Sequence, residues 1–408
     1  MNEILIEGSD LIIASIVVLF VGGLLTERIA FLKKYSIPQA VTGGLIFSFI
    51  VLFLAKWGGV KVSFDLRMRD VLLLTFFSTI GLTAKFSRLK SGGKPLGILV
   101  GCAAVFLVVQ NLTGVLLALG LGSHPGYGLF AGSVSFAGGH GTAIAWGQEA
   151  DAAGLLNAGE IGIAFATFGL IAGGVIGGPI TEFFIKKYQL TPSSGTDSSL
   201  SGKGNQVQST LKPVTLHRTL VTLFILAVCV SLGDVVNRFF FSAGVKLPGF
   251  LTSMMVGILI TNFSDAVKRP VSLHDFDKVG EVALQLFLAM SLMSMDLNSL
   301  ASALNTIMFV VFVQVVVISL FATFVVFRVM GKDYDAAVIC GGFIGLGLGA
   351  TPVAIANMSA VTSKYGPSFK AFLIVPLVGA FFVDLLNALI IKFFIGLPIM
   401  QNTPLPGG

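Results

Sequence analysis

The sequence predicts an all-α polytopic membrane protein: two inverted-topology repeats of five transmembrane helices, each with a re-entrant, broken-helix hairpin. Three observations predict it. First, 55% of the 408 residues are apolar and 11% charged, where a soluble chain carries about 25% charged residues. Second, two apolar stretches, GSVSFAGGHGTAIAWG at 132–147 and GGFIGLGLGATPVAIANM at 341–358, are broken mid-length. Gly138, Gly139 and Gly141 interrupt one; Gly345, Gly347, Gly349 and Pro352 interrupt the other. An interior Gly costs a helix about 1 kcal/mol against Ala, and an interior Pro about 3. Third, the chain repeats itself at an offset near 210 residues. Pro38 and Thr42 match Pro248 and Thr252, Gln110 matches Gln314, Thr142 matches Thr351, and Phe183-Phe184-Ile185 matches Phe393-Phe394-Ile395.

The acidic start MNEILIEGSD precedes an apolar run over 11–32, about 33 Å long as a helix. A signal peptide has a basic start and a shorter apolar region, so this run reads as a retained span. Spans over 40–57, 70–84 and 96–121 lead to the first broken stretch, a hairpin near 128–149. The span 161–184 closes an N-terminal repeat of residues 1–187. Segment 188–213, YQLTPSSGTDSSLSGKGNQVQSTLKP, has almost nothing to bury and reads as a flexible linker. The pattern restarts over 214–408, with spans at 216–236, 248–263, 279–295, 306–329 and 369–395 and a hairpin near 335–360.

Most of the 26 Lys and Arg fall in segments on the linker's side of the membrane; the exceptions include a local group in the 56–69 loop. Cytoplasmic loops carry the excess of positive charge. The linker is therefore placed in the cytoplasm and, with five crossings per repeat, both termini outside. Residues 148–160, after the first broken stretch, carry only acids and are placed outside. The segment after the second carries Lys364 and Lys370 and is placed inside, so the hairpins enter from opposite faces. The net charge of +6 is scattered between apolar spans, and no nucleic-acid partner is expected. Cys102, Cys229 and Cys340 each stand alone in an apolar stretch, as inert buried thiols do. There is no Walker loop, zinc spacing or nucleophile triad, so neither an enzyme nor a cofactor is expected. Lack of a nucleotide site implies coupling to an ion gradient.

Backbone freed inside a bilayer persists only where it is buried in protein or lines a watery cavity. Two interrupted segments at matching places point to a secondary-transporter binding site. Half-helix N-termini offer bare N–H groups and a positive dipole to an anion. Candidate donors are the Gly138-Gly139-His140-Gly141-Thr142 turn with Ser133 and Ser135, and, across the repeat, Gly347 to Thr351, including Gly349, followed by Asn357. The bland reading is that these glycines only allow close helix packing, but Pro352 behind alternating glycines does not suit a packing helix. His140 could sense protons, bind a carboxylate, or give one structural hydrogen bond. Asp384 and Asn387 are three apart in the last span and share a helical face. An intramembrane carboxylate is a functional candidate by default, and a hard cation such as Na⁺ takes carboxylate, amide and freed carbonyl oxygens, here with Gly347. A structural polar cluster is the alternative. Gln110 and Gln314, in symmetric positions, reach either a polar substrate or each other. Asp296, which ends its span, reads as interfacial.

These residues carry a resemblance. GSVSFAGGHGTA, MGKDYDAAV followed by GLGLGATPVAIANM, and VPLVGAFFVDLLNALIIKFF resemble the bacterial sodium/glutamate symporters over essentially the whole chain. The resemblance implies Na⁺-driven uptake of L-glutamate across the bacterial cytoplasmic (inner) membrane, a homodimer in the lipid bilayer, and an elevator-like movement of the hairpin-bearing part. Na⁺ is then the coupling ion. The alternative is a Na⁺- or H⁺-coupled carrier of another organic anion, a di- or tricarboxylate, and a channel with glycine loops as its filter stands further off.

Overall fold

A computed structural model describes residues 2–34, 37–85, 89–192, 216–243, 247–267, 273–295 and 297–403. Asp296 and most of the segment read as a linker lie outside the described residues. The chain is helical almost throughout. In order it forms α1 (Gly8–Arg28), α2 (Ala30–Lys34), α3 (Gln39–Trp57), α4 (Arg67–Thr83), α5 (Leu89–Gly120), α6 (Pro125–Phe130), α7 (Gly139–Ala152) and α8 (Ala158–Tyr188). It continues as α9 (Leu216–Ser242), α10 (Gly249–Ala266), α11 (Leu273–Met293), α12 (Leu297–Phe321), α13 (Tyr334–Leu348), α14 (Thr351–Tyr365), α15 (Phe369–Leu377), α16 (Val383–Ile395) and α17 (Pro398–Asn402).

Six helices are long and apolar enough to cross a membrane, or up to seven if the pair α15–α16, bent by 44°, counts as one span. The segments expected to span at 70–84, 248–263 and 279–295 form α4, α10 and α11, which are shorter or more polar. Two wide (π) turns, Ala322–Val326 and Val378–Phe382, interrupt the late helices. A small departure from an all-helical chain lies at the N-terminus. Strand β1 (Asn2–Ile6) pairs in parallel with β2 (Val60–Phe64), Ile4 opposite Val62. The acidic start and the 56–69 loop have no helical periodicity and satisfy their backbone groups against each other.

The helices sort into two bodies. In one, α4 packs on α10 and α11, α3 on α1 and α11, and α9 on α10. Pairing crosses the halves of the chain: α4 takes α10, and α3 takes α11. A Cβ at Gly81 would lie 2.1 Å from the Met254 carbonyl, and one at Gly257 2.8 Å from that of Ser78, so both glycines permit a close α4–α10 crossing. Lys85 pairs with Asp265 across the same contact at 2.8 Å. In the other body α8 is the central mast, in contact with α6, α7, α12, α13 and α14, while α5 holds α6, α12 and α16. Where the bodies meet, Trp146 of α7 lies edge-on to Phe250, centroids 5.5 Å apart. A Cβ at Gly141 would lie 3.3 Å from Phe76 and 3.4 Å from Phe287.

Candidate functional site

The first broken stretch starts where His124 caps α6, its Nδ1 accepting from Gly126 N at 3.0 Å. Residues 131–138 continue as loose turns, with Gly138 N donating to Ser133 O at 2.9 Å and Gly139 N to Ser135 O at 3.0 Å. Gly139 then adopts φ 70°, which an L side chain resists, and α7 leaves in a new direction. Its first amides, on His140, Gly141 and Thr142, have no main-chain acceptor among the bonds outside helices, as expected for an opening turn. Tyr127 Oη donates to Leu156 O at 2.9 Å, so entry and exit of this stretch lie at one end of the body.

The second stretch repeats the plan. Asp333 caps α13 by accepting from Ala336 N at 2.7 Å. The helix stops at Gly349 (φ −151°, ψ −94°), and α14 restarts with Pro352 in its first turn, where a missing N–H costs nothing. Tyr334 Oη donates to Gly366 O, and Ser368 Oγ to Asp335 Oδ1 at 2.6 Å, closing the far end. A Cβ at Gly366 would touch Pro192, beyond the C-terminus of α8. The first stretch opens beside Leu155 and Leu156, just before α8 begins. The two hairpins therefore approach along α8 from its opposite ends.

Their tips meet. A Cβ on Gly139 would sit 3.7 Å from Gly349 O. Between them, a Cβ on Gly169 of α8 would come within 2.4 Å of Leu348 O and 2.7 Å of the Phe136 ring. Gly162, Gly173 and Gly177 extend this small-residue ladder to Ala143, Leu348 and Asn357. The bare N-termini of α7 and α14 thus point into one region near the middle of the mast, where two positive dipole ends favour an anion.

The candidate residues divide by what they touch. Ser133 is spent on structure: its amide donates to Asn111 Oδ1 at 2.8 Å, its hydroxyl to Asn387 Oδ1, and its carbonyl accepts from Asn387 Nδ2 at 3.0 Å. Asn387 therefore clasps the last helix to the first hairpin. Asn357 likewise clasps α14 to α8 and α13, donating to Gly173 O at 3.0 Å and Gly341 O at 3.2 Å. His140 Nε2 lies 3.0 Å from Thr167 Oγ1. The Thr167 proton is committed to Ile163 O at 2.9 Å, so the imidazole is the donor in this pair, the structural one of its three readings. Thr142 is buried at the first tip, and half-buried Thr351 packs at the second, its Oγ1 against Gly379 in the π turn. Ser135 is fully buried with its hydroxyl unpartnered among the described residues. Asp384 is half-buried, and no hydrogen bond or ion pair to it is among the described contacts.

Gln110 and Gln314 do not bond side chain to side chain. Gln110 Nε2 donates to Gly347 O at 2.8 Å, and Gln314 Nε2 to Ala131 O at 2.8 Å and Gln110 O at 3.0 Å. Each glutamine holds a carbonyl of the broken stretch that belongs to the other half of the chain. Asn111 and Thr167, which fix Ser133 and His140, escape sequence reasoning because single polar residues in apolar helices carry no spacing signal. The glycine ladder of α8 is a signal that sequence reading passes over. So is Lys392, which with Glu149, His124 and Trp146 lines a cavity of about 620 Å³ between the first hairpin and α16–α17.

A membrane-spanning helical body with two broken stretches meeting tip to tip, and no enzyme constellation, defines a transporter of the secondary active class. The chain belongs to the sodium/glutamate symporter family: the family model of that description matches residues 4–367. It is 41% identical over 398 residues to the sodium/glutamate symporter of Escherichia coli (strain K12), covering 96% of this chain and 98% of that one. It is 42% identical over 378 residues to that of Haemophilus influenzae, covering 92% and 94%.

Proposed function

We propose that this protein imports L-glutamate with Na⁺, binding the amino acid between the two hairpin tips and moving it by alternating access. The meeting of Gly139 with Gly349, which aims the bare ends of α7 and α14 at one place, carries the reading. The names of the relatives supply glutamate and sodium. Each hairpin serves as a gate from its own side of an inner membrane, within inverted repeats 1–187 and 214–408 joined by a cytoplasmic linker. The hairpin-bearing body moves against the other, which supplies the homodimer contact. Support for an elevator-like movement comes from the asymmetry of cover. The α7 face lies against Phe76, Phe250 and Phe287, whereas Pro352, Ile355, Ala356, Ser359, Ala360 and Ser363 of α14 are exposed. In this arrangement the second hairpin is the uncovered gate, open to the cytoplasm. Asp384 serves Na⁺ or the substrate ammonium.

Uptake of radiolabelled glutamate into proteoliposomes tests the reading. Accumulation driven by an inward Na⁺ gradient, competed by glutamate above citrate or malate, is the expected result. Uptake indifferent to sodium removes the coupling, and citrate competing better than glutamate reassigns the substrate.

A further inference from the structure

We propose that the side-chain oxygens of Gln110 and Gln314 form part of a Na⁺ site in the layer that joins α5 and α12 to the two broken stretches. The proposal rests on the sodium-coupled reading above and assigns it a place. Both side chains are fully buried, 0% exposed. Their orientation is set by their surroundings: each Nε2 faces main-chain carbonyls, Gly347 O for Gln110, Ala131 O and Gln110 O for Gln314. A flipped amide would set oxygen against oxygen. Each Oε1 is thereby turned away from those carbonyls, and neither has a hydrogen-bond partner among the described residues. A buried acceptor left unmet costs about 1–3 kcal/mol, and here two occur at matching places in the two halves.

The layer is rich in oxygen and poor in hydrogen. Its two carboxamide N–H₂ groups are engaged on carbonyls, so the missing partner is a species that brings positive charge or protons of its own. A hard cation takes such oxygens, amide and freed main-chain carbonyls together. Size separates an ion from the organic substrate. The void beside Gly347, lined on one face of α5 by Ala103, Phe106 and Leu107, has a volume of about 10 Å³, too little for an amino acid. Val383 also lines it, so the carboxylate of Asp384 is the next residue along the chain and a source of the balancing charge. The carbonyls that these glutamines grip lie in both hairpins, so an ion here ties the two gates to one occupancy.

Thermal unfolding of the purified full-length protein in detergent, titrated with NaCl against choline chloride without glutamate, tests the assignment. In Gln110→Leu and Gln314→Leu the Na⁺ concentration giving half-maximal stabilisation is expected to rise at least ten-fold, with glutamate affinity at saturating Na⁺ unchanged. Where a leucine variant does not fold, Gln110→Asn and Gln314→Asn retract the oxygen while keeping the amide, and a rise of several-fold is expected. Folded variants with the wild-type sodium midpoint overturn the assignment and leave a buried water as the partner. A wild-type protein that Na⁺ does not stabilise at all overturns the sodium coupling itself, and the site with it.

Discussion

Asn387 and Asp384 share one turn of the last helix yet have different surroundings. Asn387 is saturated by Ser133, while no contact to Asp384 is described. Removing the Ser133 hydroxyl leaves Asn387 Oδ1 unmet in a buried place, so Ser133→Ala is expected to cost about 1–3 kcal/mol, read by thermal unfolding. Asp384→Asn is expected to do the reverse. Its unfolding stays close to that of wild type, while the Na⁺ concentration for half-maximal uptake rises roughly ten-fold, about 1.4 kcal/mol. Unchanged sodium dependence would reassign the carboxylate to structure. Both residues are visible in the sequence as polar groups in an apolar span. Which of them has a partner is not, because Ser133 is more than half the chain away and reaches Asn387 only through the fold of the first hairpin.

At the level of elements, the two breaks are legible from composition alone. A glycine run or a proline destabilises a helix through its own backbone, whatever it packs against. Gly139→Ala is expected to cost about 1–2 kcal/mol, the penalty for an L side chain in the left-handed region, and to reduce glutamate uptake. Gly169→Ala tests the mast. Its methyl group would strike Leu348 O and Phe136, so a loss of about 1–3 kcal/mol from overpacking is expected, with uptake abolished because both tips are displaced together. A stable, fully active Gly169→Ala protein would mean that the tips need not meet there. The β1–β2 pair shows the opposite case. Five residues of each strand carry little signal, and each is explained only by the other some sixty positions away.

For the whole molecule, the question is how the two bodies hold and release each other. Among the hydrogen bonds between described residues, one side-chain link joins them: Gln148 Nε2 of α7 to Asp70 Oδ1 of α4, at 3.0 Å. The rest of that contact is aromatic and aliphatic, around Gly141, Phe76, Leu284 and Phe287. A disulfide between Gly141→Cys and Leu284→Cys is expected to fasten the bodies and stop uptake, with activity restored by reductant. The native Cys102, Cys229 and Cys340 are buried and are replaced in that background. Uptake that survives verified cross-linking would show that the α7–α11 contact does not change during transport.

The sequence by itself determined that the chain is a helical membrane protein, that it repeats, and where two helices must break. Each of these follows from local energetics: apolar length, and the backbone cost of glycine and proline. Only the tertiary structure decided that the breaks meet, that Asn357 and Asn387 serve as clasps, and that Gln110 and Gln314 each grip the other half's hairpin. Those outcomes depend on how closely α8 lets its neighbours approach and on which carbonyl lies opposite each amide. Such distances arise between residues far apart in the chain, so no spacing along it encodes them.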